Sequence, residues 1–358
     1  MKALITAGGR GTRLRPITYT LNKHLFPIAN KPMIFHALEK VAKAGIKEVA
    51  ININEGDKEL PAAVGNGKKF GLKITYIEQK GGSLGVAHVI ANAKKWIGKD
   101  DLLYYFGDNI IAGDLSKLID KFYKDKLDCL LALSKVRDPE RFGVPVIKNK
   151  HILEVQEKPK NPQSDFAVTG IYFYKPVIIE AVENIKPSAR GEYEISDAHT
   201  YLIKKGCKVG YSEITGWWKD TGKPEDLLEG NSLILTSLSG MEIPFKQLES
   251  GWRLEGAIRI GEGTKLSGKV VIRGPVVIGR NCLIEDACIE PYTSIGDNVT
   301  VKGTEVSHSI VCDGTEILEC GVRIVDSLLG RNSVVKAEDF TLPSGHKLVI
   351  GDNAQVEL

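Results

Sequence analysis

From Leu254 onward an aliphatic side chain returns every sixth residue, at Ile260, Leu266, Ile272, Ile278 and Ile284, and after a one-residue slip the series resumes at Ile289, Ile295 and Val301. A helix repeats at 3.6 residues and a strand at 2, so a sustained period of six belongs to neither alone. It belongs to a solenoid of short strands and turns, with each aliphatic side chain pointing into a prism. Glycine follows the aliphatic residue at Gly261, Gly279 and Gly296, and Thr264, Val270, Val276, Cys282, Cys288 and Val299 sit four places after it. At roughly eighteen residues per coil, residues 254–340 hold about four or five coils of a parallel β-helix. An antiparallel β-sandwich would require all these spacings to coincide by chance. The period lapses over 340–358, which reads as a cap.

Before this repeat the pattern differs. Strand-like apolar runs at 2–6, 48–53, 74–77, 102–106, 128–136 and 167–174 alternate with amphipathic stretches, which predicts an α/β layer on a largely parallel sheet. Ile34, Leu38, Val41 and Ala42 lie at helical spacing with Gly45 as a stop, predicting a crossover helix over 31–44, and a second helix is expected over 224–235. A chain of 358 residues holds about two domains. The boundary is placed at 240, giving 1–240 and 241–358.

Composition narrows the function classes. Lys+Arg 48 against Asp+Glu 45 leaves a net charge of +3, which lacks the basic excess that binding along a nucleic acid requires. No apolar run approaches the ~18 residues that span a bilayer, so no membrane partner is expected. Six cysteines with no C-x-x-C pair read as reduced thiols of a cytoplasmic protein.

The first strand runs into Ala7-Gly8-Gly9-Arg10-Gly11-Thr12-Arg13-Leu14-Arg15-Pro16. Glycines there let backbone N–H groups converge on phosphate oxygens, with Arg13 and Arg15 adding positive charge. The Gly-Lys-Ser/Thr ending of a P-loop and the third glycine of G-x-G-x-x-G are both missing. Lys23 lies on the same connection and can return to the same phosphates, although a loop lysine is commonly only a solvated charge. Asp108, in Phe106-Gly107-Asp108-Asn109, falls at the carboxyl edge of a strand, where open α/β sheets bind ligands. Asp220 lies just before a helix in Trp217-Trp218-Lys219-Asp220-Thr221-Gly222. Each carboxylate alone reads as a cap or turn residue; beside a phosphate loop, the two suggest oxygen ligands for Mg²⁺ on a triphosphate.

These blocks resemble the sugar-1-phosphate nucleotidyltransferases, above all the long-form glucose-1-phosphate thymidylyltransferases. Asp138-Pro139-Glu140-Arg141-Phe142-Gly143-Val144, Glu157-Lys158-Pro159, Val168-Thr169-Gly170-Ile171-Tyr172 and Arg190-Gly191-Glu192-Tyr193-Glu194-Ile195-Ser196-Asp197 carry the resemblance further. It implies a Rossmann-like catalytic domain with a mixed, mostly parallel sheet, followed by a left-handed β-helix. It also implies that Arg13 and Lys23 hold the nucleotide phosphates and that Asp108 and Asp220 hold Mg²⁺, with Gly8, Gly9, Gly11, Thr12 and Asn109 as substrate-binding residues beside them. Lys158 would grip the sugar phosphate and Glu157 the sugar hydroxyls, with Gly143 and Val168 lining the sugar pocket. Gln79 would read the pyrimidine edge, with Gly8 and Gly85 beside the base. The Gln79-Lys80-Gly81-Gly82-Ser83-Leu84-Gly85 loop is one residue longer than the family's usual one and has Ser83 where proline is common, which predicts relaxed choice between dTTP and UTP.

The implied reaction is attack of glucose 1-phosphate on the α-phosphorus of dTTP or UTP. Two alternatives remain at this level: amino-sugar acetyl transfer by the tail, for which His308 and His346 are the available histidines, and a catalytically dead regulatory paralogue. The open end and flat faces of a β-helix predict a homo-oligomer, with a trimer favoured by the resemblance.

Overall fold

The computed structural model describes residues 1–337 apart from Arg10, Ser83 and residues 246–248; the expected cap at 340–358 and His346 lie outside the described residues. Seven strands form the main sheet: β1 (Lys2–Thr6), β2 (Glu48–Asn54), β3 (Lys73–Gln79), β4 (Leu102–Phe106), β6 (Cys129–Lys135), β9 (Phe166–Tyr174) and β10 (Val209–Glu213). Their order is β10-β6-β9-β4-β1-β2-β3. All neighbours are parallel except β9, which runs antiparallel to both β4 and β6. The mixed, mostly parallel sheet expected from the sequence is therefore present.

Alternation along β1 divides the core. Ala3 and Ile5 face one hydrophobic layer and Leu4 the other. Helix α1 (Met33–Lys43) buries Ile34, Leu38 and Val41 in the first layer, and Gly45, at φ 81°, allows the turn beyond its end. It begins two residues later than the spacing suggested, because Lys31–Pro32 pairs with Pro27–Ile28 as a small antiparallel ladder. Helices α2 (Val86–Ile97) and α4 (Ile195–Lys204) cover the other face, and α3 (Leu115–Lys124) covers the first.

Two short ladders stand outside the main sheet. Strands β7 (Gly143–Lys148) and β8 (His151–Glu157) form a hairpin whose turn residues, Asn149 and Lys150, both have positive φ. Strand β5 (Asn109–Ile111) pairs antiparallel with β11 (Trp218–Asp220), directly before helix α5 (Pro224–Thr236). Runs of three residues carry no detectable period, so the sequence gives no hint of this pairing.

The tail is a left-handed parallel β-helix with sheets of six, five and five strands. Leu254 faces Ile272, a step of 18 residues; Ile272 faces Ile289, a step of 17. The slip in the repeat is thus a shortened coil, and a second shortening follows it: Ile295 faces Val311 at a step of 16 before Val306 and Ile324 restore 18. Interior positions Ile272, Ile284, Ile289, Ile295, Val301 and Val306 are completely inaccessible to solvent. Among the described residues no helix is long and apolar enough to cross a membrane.

The β-helix shares a core with the α/β part: Leu14, Phe26, Ile110 and Leu227 pack in one cluster with Ile310 and Cys312. Asn231 on α5 links them. Its Oδ1 accepts from the Ala29 N–H (2.8 Å) and from Ser294 Oγ (2.6 Å), while its Nδ2 donates to the Tyr292 carbonyl (2.9 Å). The side chain is fully buried. An Asn231→Leu substitution leaves these buried partners unpaired and should cost about 3 kcal/mol of stability, read by urea unfolding of the full-length protein. Unchanged unfolding would show that the link is redundant.

Candidate active site

The cleft opens at the carboxyl ends of β1 and β4, where the strand order places one chain connection on each side. Gly107 is required there, since a Cβ would lie 2.4 Å from the Thr6 carbonyl oxygen. That close passage delivers Asp108 into an ion pair with Lys23. Lys23 is held by a 3-10 turn (Lys23–Leu25), in which Asn22 Oδ1 accepts from the His24 N–H at 3.0 Å. Gly9 lies under the Lys23 side chain, its would-be Cβ 3.8 Å from Nζ, and Gly11, at φ 59°, packs against Lys23 Cβ. Thr12 then starts the turn Thr12–Leu14, which carries Arg13 into the cleft.

Asp220 reaches the same corner through the β5–β11 ladder, in which it stands opposite Asn109. The Thr221 N–H and Oγ1 both donate to the Asp108 carbonyl, at 3.1 and 2.7 Å. Asn109 Nδ2 donates to Asp108 Oδ1 at 3.0 Å, and Trp218 Nε1 donates to Asn109 Oδ1 at 2.6 Å. Gly222 leaves room for the Arg13 guanidinium: a Cβ would be 2.9 Å from Nη2.

Electrostatics divide the two carboxylates. Burial opposes ionisation of Asp108, but the Lys23 ammonium more than offsets it and holds the carboxyl at about 2. Asp220 is pushed up to about 6 by burial and by the Asp108 charge, despite Lys23 and Arg13. Two adjacent carboxylates form a hard oxygen donor set suited to a divalent cation.

The opposite wall is built by the β7–β8 hairpin. Gly143 pairs with Glu157, and a Cβ on Gly143 would lie 2.7 Å from Val168 Cγ2 and 2.8 Å from Ser196 Oγ. Ser196 Oγ donates to Glu157 Oε2 at 2.7 Å. Lys158 adopts φ 44°, an uncommon conformation for a side chain with a Cβ, and its ammonium lies 3.7 Å from Glu157 Oε1. Together with Arg13, Asp108, Asn109 and Asp220, this wall encloses a cleft of about 560 Å³. Further along the sheet edge, Gln79 Oε1 would lie 3.0 Å from a Cβ on Gly8. Gly85, at φ 97°, presses on the Tyr193 backbone, where any Cβ would clash. Ser83 of the intervening loop lies outside the described residues.

One expectation needs amendment. Arg15 turns away from the phosphate loop: it stacks over the Tyr19 ring at 4.9 Å and lines a separate groove, because the extended backbone at Arg15 follows the tight turn that aims Arg13 inward. His308 is engaged between Asp326 Oδ1 (2.5 Å from Nδ1) and Ser232 Oγ (2.9 Å from Nε2) on α5. Reading the sequence by roles also overlooked Arg190, which lines the cleft and pairs with Glu194 at 2.8 Å and Glu157 at 3.4 Å. Its signal was its place in the Arg190-Gly191-Glu192 block.

Residues 2–237 match the nucleotidyl transferase family. The chain belongs to that family. Over its full length this nucleotidyl transferase is 41% identical to the glucose-1-phosphate thymidylyltransferase of Streptomyces antibioticus, covering 99% of that protein. It is 34% identical to the bifunctional protein GlmU of Methanocaldococcus jannaschii, over 93% of this chain and 78% of that one. A crystal structure from Bacillus anthracis, described as a glucose-1-phosphate thymidylyltransferase, superposes with a TM-score of 0.62 at 39% identity, covering 65% of this chain and 94% of that one.

The raised Asp220 pKa has a stability consequence. The folded nucleotidyl transferase holds that proton more tightly than the unfolded chain, so the contribution of this one group to stability is full below about pH 4 and is lost as pH rises through about 6. Asp220→Asn should therefore stabilise the metal-free protein at pH 8 by on the order of 2 kcal/mol, with the gain vanishing near pH 4. Thermal melts in EDTA across that range read it; equal melting of both proteins at pH 8 would contradict the assignment.

Proposed function

We propose that this nucleotidyl transferase joins dTTP or UTP to glucose 1-phosphate, forming dTDP-glucose or its uridine counterpart and releasing pyrophosphate. The observation that carries the reading is the single cleft with Arg13 and the Asp108–Asp220 pair on one wall and Gly143, Glu157 and Lys158 on the other. The catalytic domain is assigned to 1–240 and the β-helix to 241–358, in a cytoplasmic homo-oligomer.

A sugar 1-phosphate is largely dianionic near neutral pH, so it needs no general base. Its phosphate oxygen forms a bond to the α-phosphorus as the bond to the departing pyrophosphate oxygen breaks, and no proton need move. The obstacle is repulsion between two anions. Arg13 and Lys23 are assigned to the triphosphate and Lys158, beside Glu157, to the sugar phosphate, so that positive charge stands on both sides of the reacting phosphorus. Gly8, Gly9, Gly11 and Thr12 line the phosphate side, and Glu157, Gly143 and Val168 hold the sugar. Gln79, Gly8 and Gly85 face the base. Asp108 and Asp220, oriented by Asn109 and Thr221, would hold Mg²⁺, which when bound supplies charge neutralisation to the phosphates.

A matrix of dTTP, UTP, ATP and GTP against glucose, N-acetylglucosamine and galactosamine 1-phosphates tests the substrate assignment, with pyrophosphate release as readout. Lys158→Ala should raise KM chiefly for the sugar phosphate and Lys23→Ala chiefly for the nucleotide. Identical effects on both substrates would refute the division of roles. Asp108→Asn should lower turnover by orders of magnitude at fixed Mg²⁺.

Acetyl transfer by the tail is not favoured, since both ring nitrogens of His308 are engaged. An acetyl-CoA assay with amino-sugar phosphates should give no His308-dependent product. Light scattering of the intact protein should report an oligomer; a monomer would remove that part of the proposal.

A further inference from the structure

Three carboxamides converge on Gly8 at the carboxyl edge of the sheet. A Cβ there would lie 3.0 Å from Gln79 Oε1, 3.1 Å from Asn52 Oδ1 and 3.4 Å from Asn54 Oδ1. Asn52 and Asn54 share one face of β2, and Gln79 stands opposite Asn54 at the end of β3. Asn52 is only 1% exposed. Its Nδ2 donates to the Ile77 carbonyl at 3.3 Å, while its Oδ1 is buried with no hydrogen-bond partner among the described residues. A buried carbonyl without a donor is a costly feature in a folded protein, and one beside a second carboxamide invites pairing.

The two ends of a glutamine amide exchange places by a 180° turn. We propose that Asn52 is a positioning residue for base selection: its Oδ1 accepts a hydrogen bond from Gln79 Nε2, which holds Gln79 Oε1 toward the nucleotide to accept N3–H of uracil or thymine. The inference rests on the proposed placement of the base beside Gly8, Gln79 and Gly85.

The direction of this relay is set by the main chain. Ile77 O can only accept, so Asn52 must turn Nδ2 toward it and Oδ1 away. Gln79 is then left with one orientation that satisfies Asn52. Uracil and thymine carry a donor at N3, whereas cytosine carries a lone pair there, which would face the Gln79 oxygen across a desolvated contact. The relay therefore excludes cytosine and leaves the 5-methyl group unread. No part of Asn52 touches the nucleotide in this arrangement.

Steady-state kinetics of the full-length enzyme with dTTP, UTP and CTP test it. Asn52→Leu should lower the dTTP-over-CTP ratio of kcat/KM by roughly ten- to a hundredfold. The change should appear in the nucleotide KM, with the KM for glucose 1-phosphate nearly unchanged. A purely structural role for Asn52 would depress activity on all three nucleotides alike, and that outcome overturns the proposal. Should Asn52→Leu fail to fold, Asn52→Ser carries the test, because a serine hydroxyl is too short to bridge Ile77 and Gln79. Gln79→Leu separates the two levels of argument. An unchanged ratio in Gln79→Leu would overturn the placement of the base, whereas a collapsed ratio there with intact discrimination in the Asn52 variants would overturn the relay alone.

Discussion

Asp108 and Asp220 occupy one half-buried corner of the cleft, and much of the surrounding structure manages the repulsion between them. Lys23 neutralises the first. The second is left above its ordinary carboxylate range, with Arg13 close by. Holding two such groups together requires a rigid frame, and the chain supplies it with Thr221 clamped on the Asp108 carbonyl and Trp218 locked to Asn109. A corner of this kind lowers the stability of the metal-free fold, which is expected where charge is arranged for chemistry. The same frame accounts for the glycines around it, because Gly107 and Gly222 are the positions at which backbone must pass against a carbonyl or a guanidinium.

The legible part of the molecule was the part with long periods. Six of the seven strands of the main sheet and the six-residue repeat extend over enough residues for burial to imprint a pattern, whereas the half-exposed edge strand Val209–Glu213 left none, and even the slip at Ile289 has a structural counterpart in a shortened coil. The individual site residues were legible as motif members, but their juxtaposition was not. Asp220 meets Asp108 through a ladder of three residues, too short to leave a period in the sequence. Arg13 and Arg15 look equivalent on paper, yet a 3-10 turn followed by extended backbone sends them to different surfaces. Arg190 and Asn52 gain their place from neighbours distant in sequence: Glu157 for the first, beside its local partner Glu194, and Gly8 for the second.

The hairpin turn at Asn149 and Lys150 and the left-handed backbone at Lys158 bracket β8, so the wall proposed to face the sugar is set by backbone conformation at both ends. That arrangement fixes Glu157 more firmly than packing alone would, since its carboxylate also accepts from Ser196 and Arg190. In the proposed assignment, selectivity among sugars falls on a rigid strand, whereas the nucleotide side is formed by loops and a network of amides. The two halves of the cleft can respond differently to substitution.

Helix α5 has two duties along its length. Its first turn follows directly from Asp220, and its middle carries Asn231 and Ser232 onto the β-helix. The catalytic corner and the solenoid are therefore not interchangeable modules. A chimera that joined this α/β part to a foreign hexapeptide tail would have to import partners equivalent to Tyr292 and Ser294, or redesign the exposed face of the helix on which Asp220 depends. A substitution at these contact positions is felt in both parts of the chain, and transplanting either part alone places the burden on the helix between them.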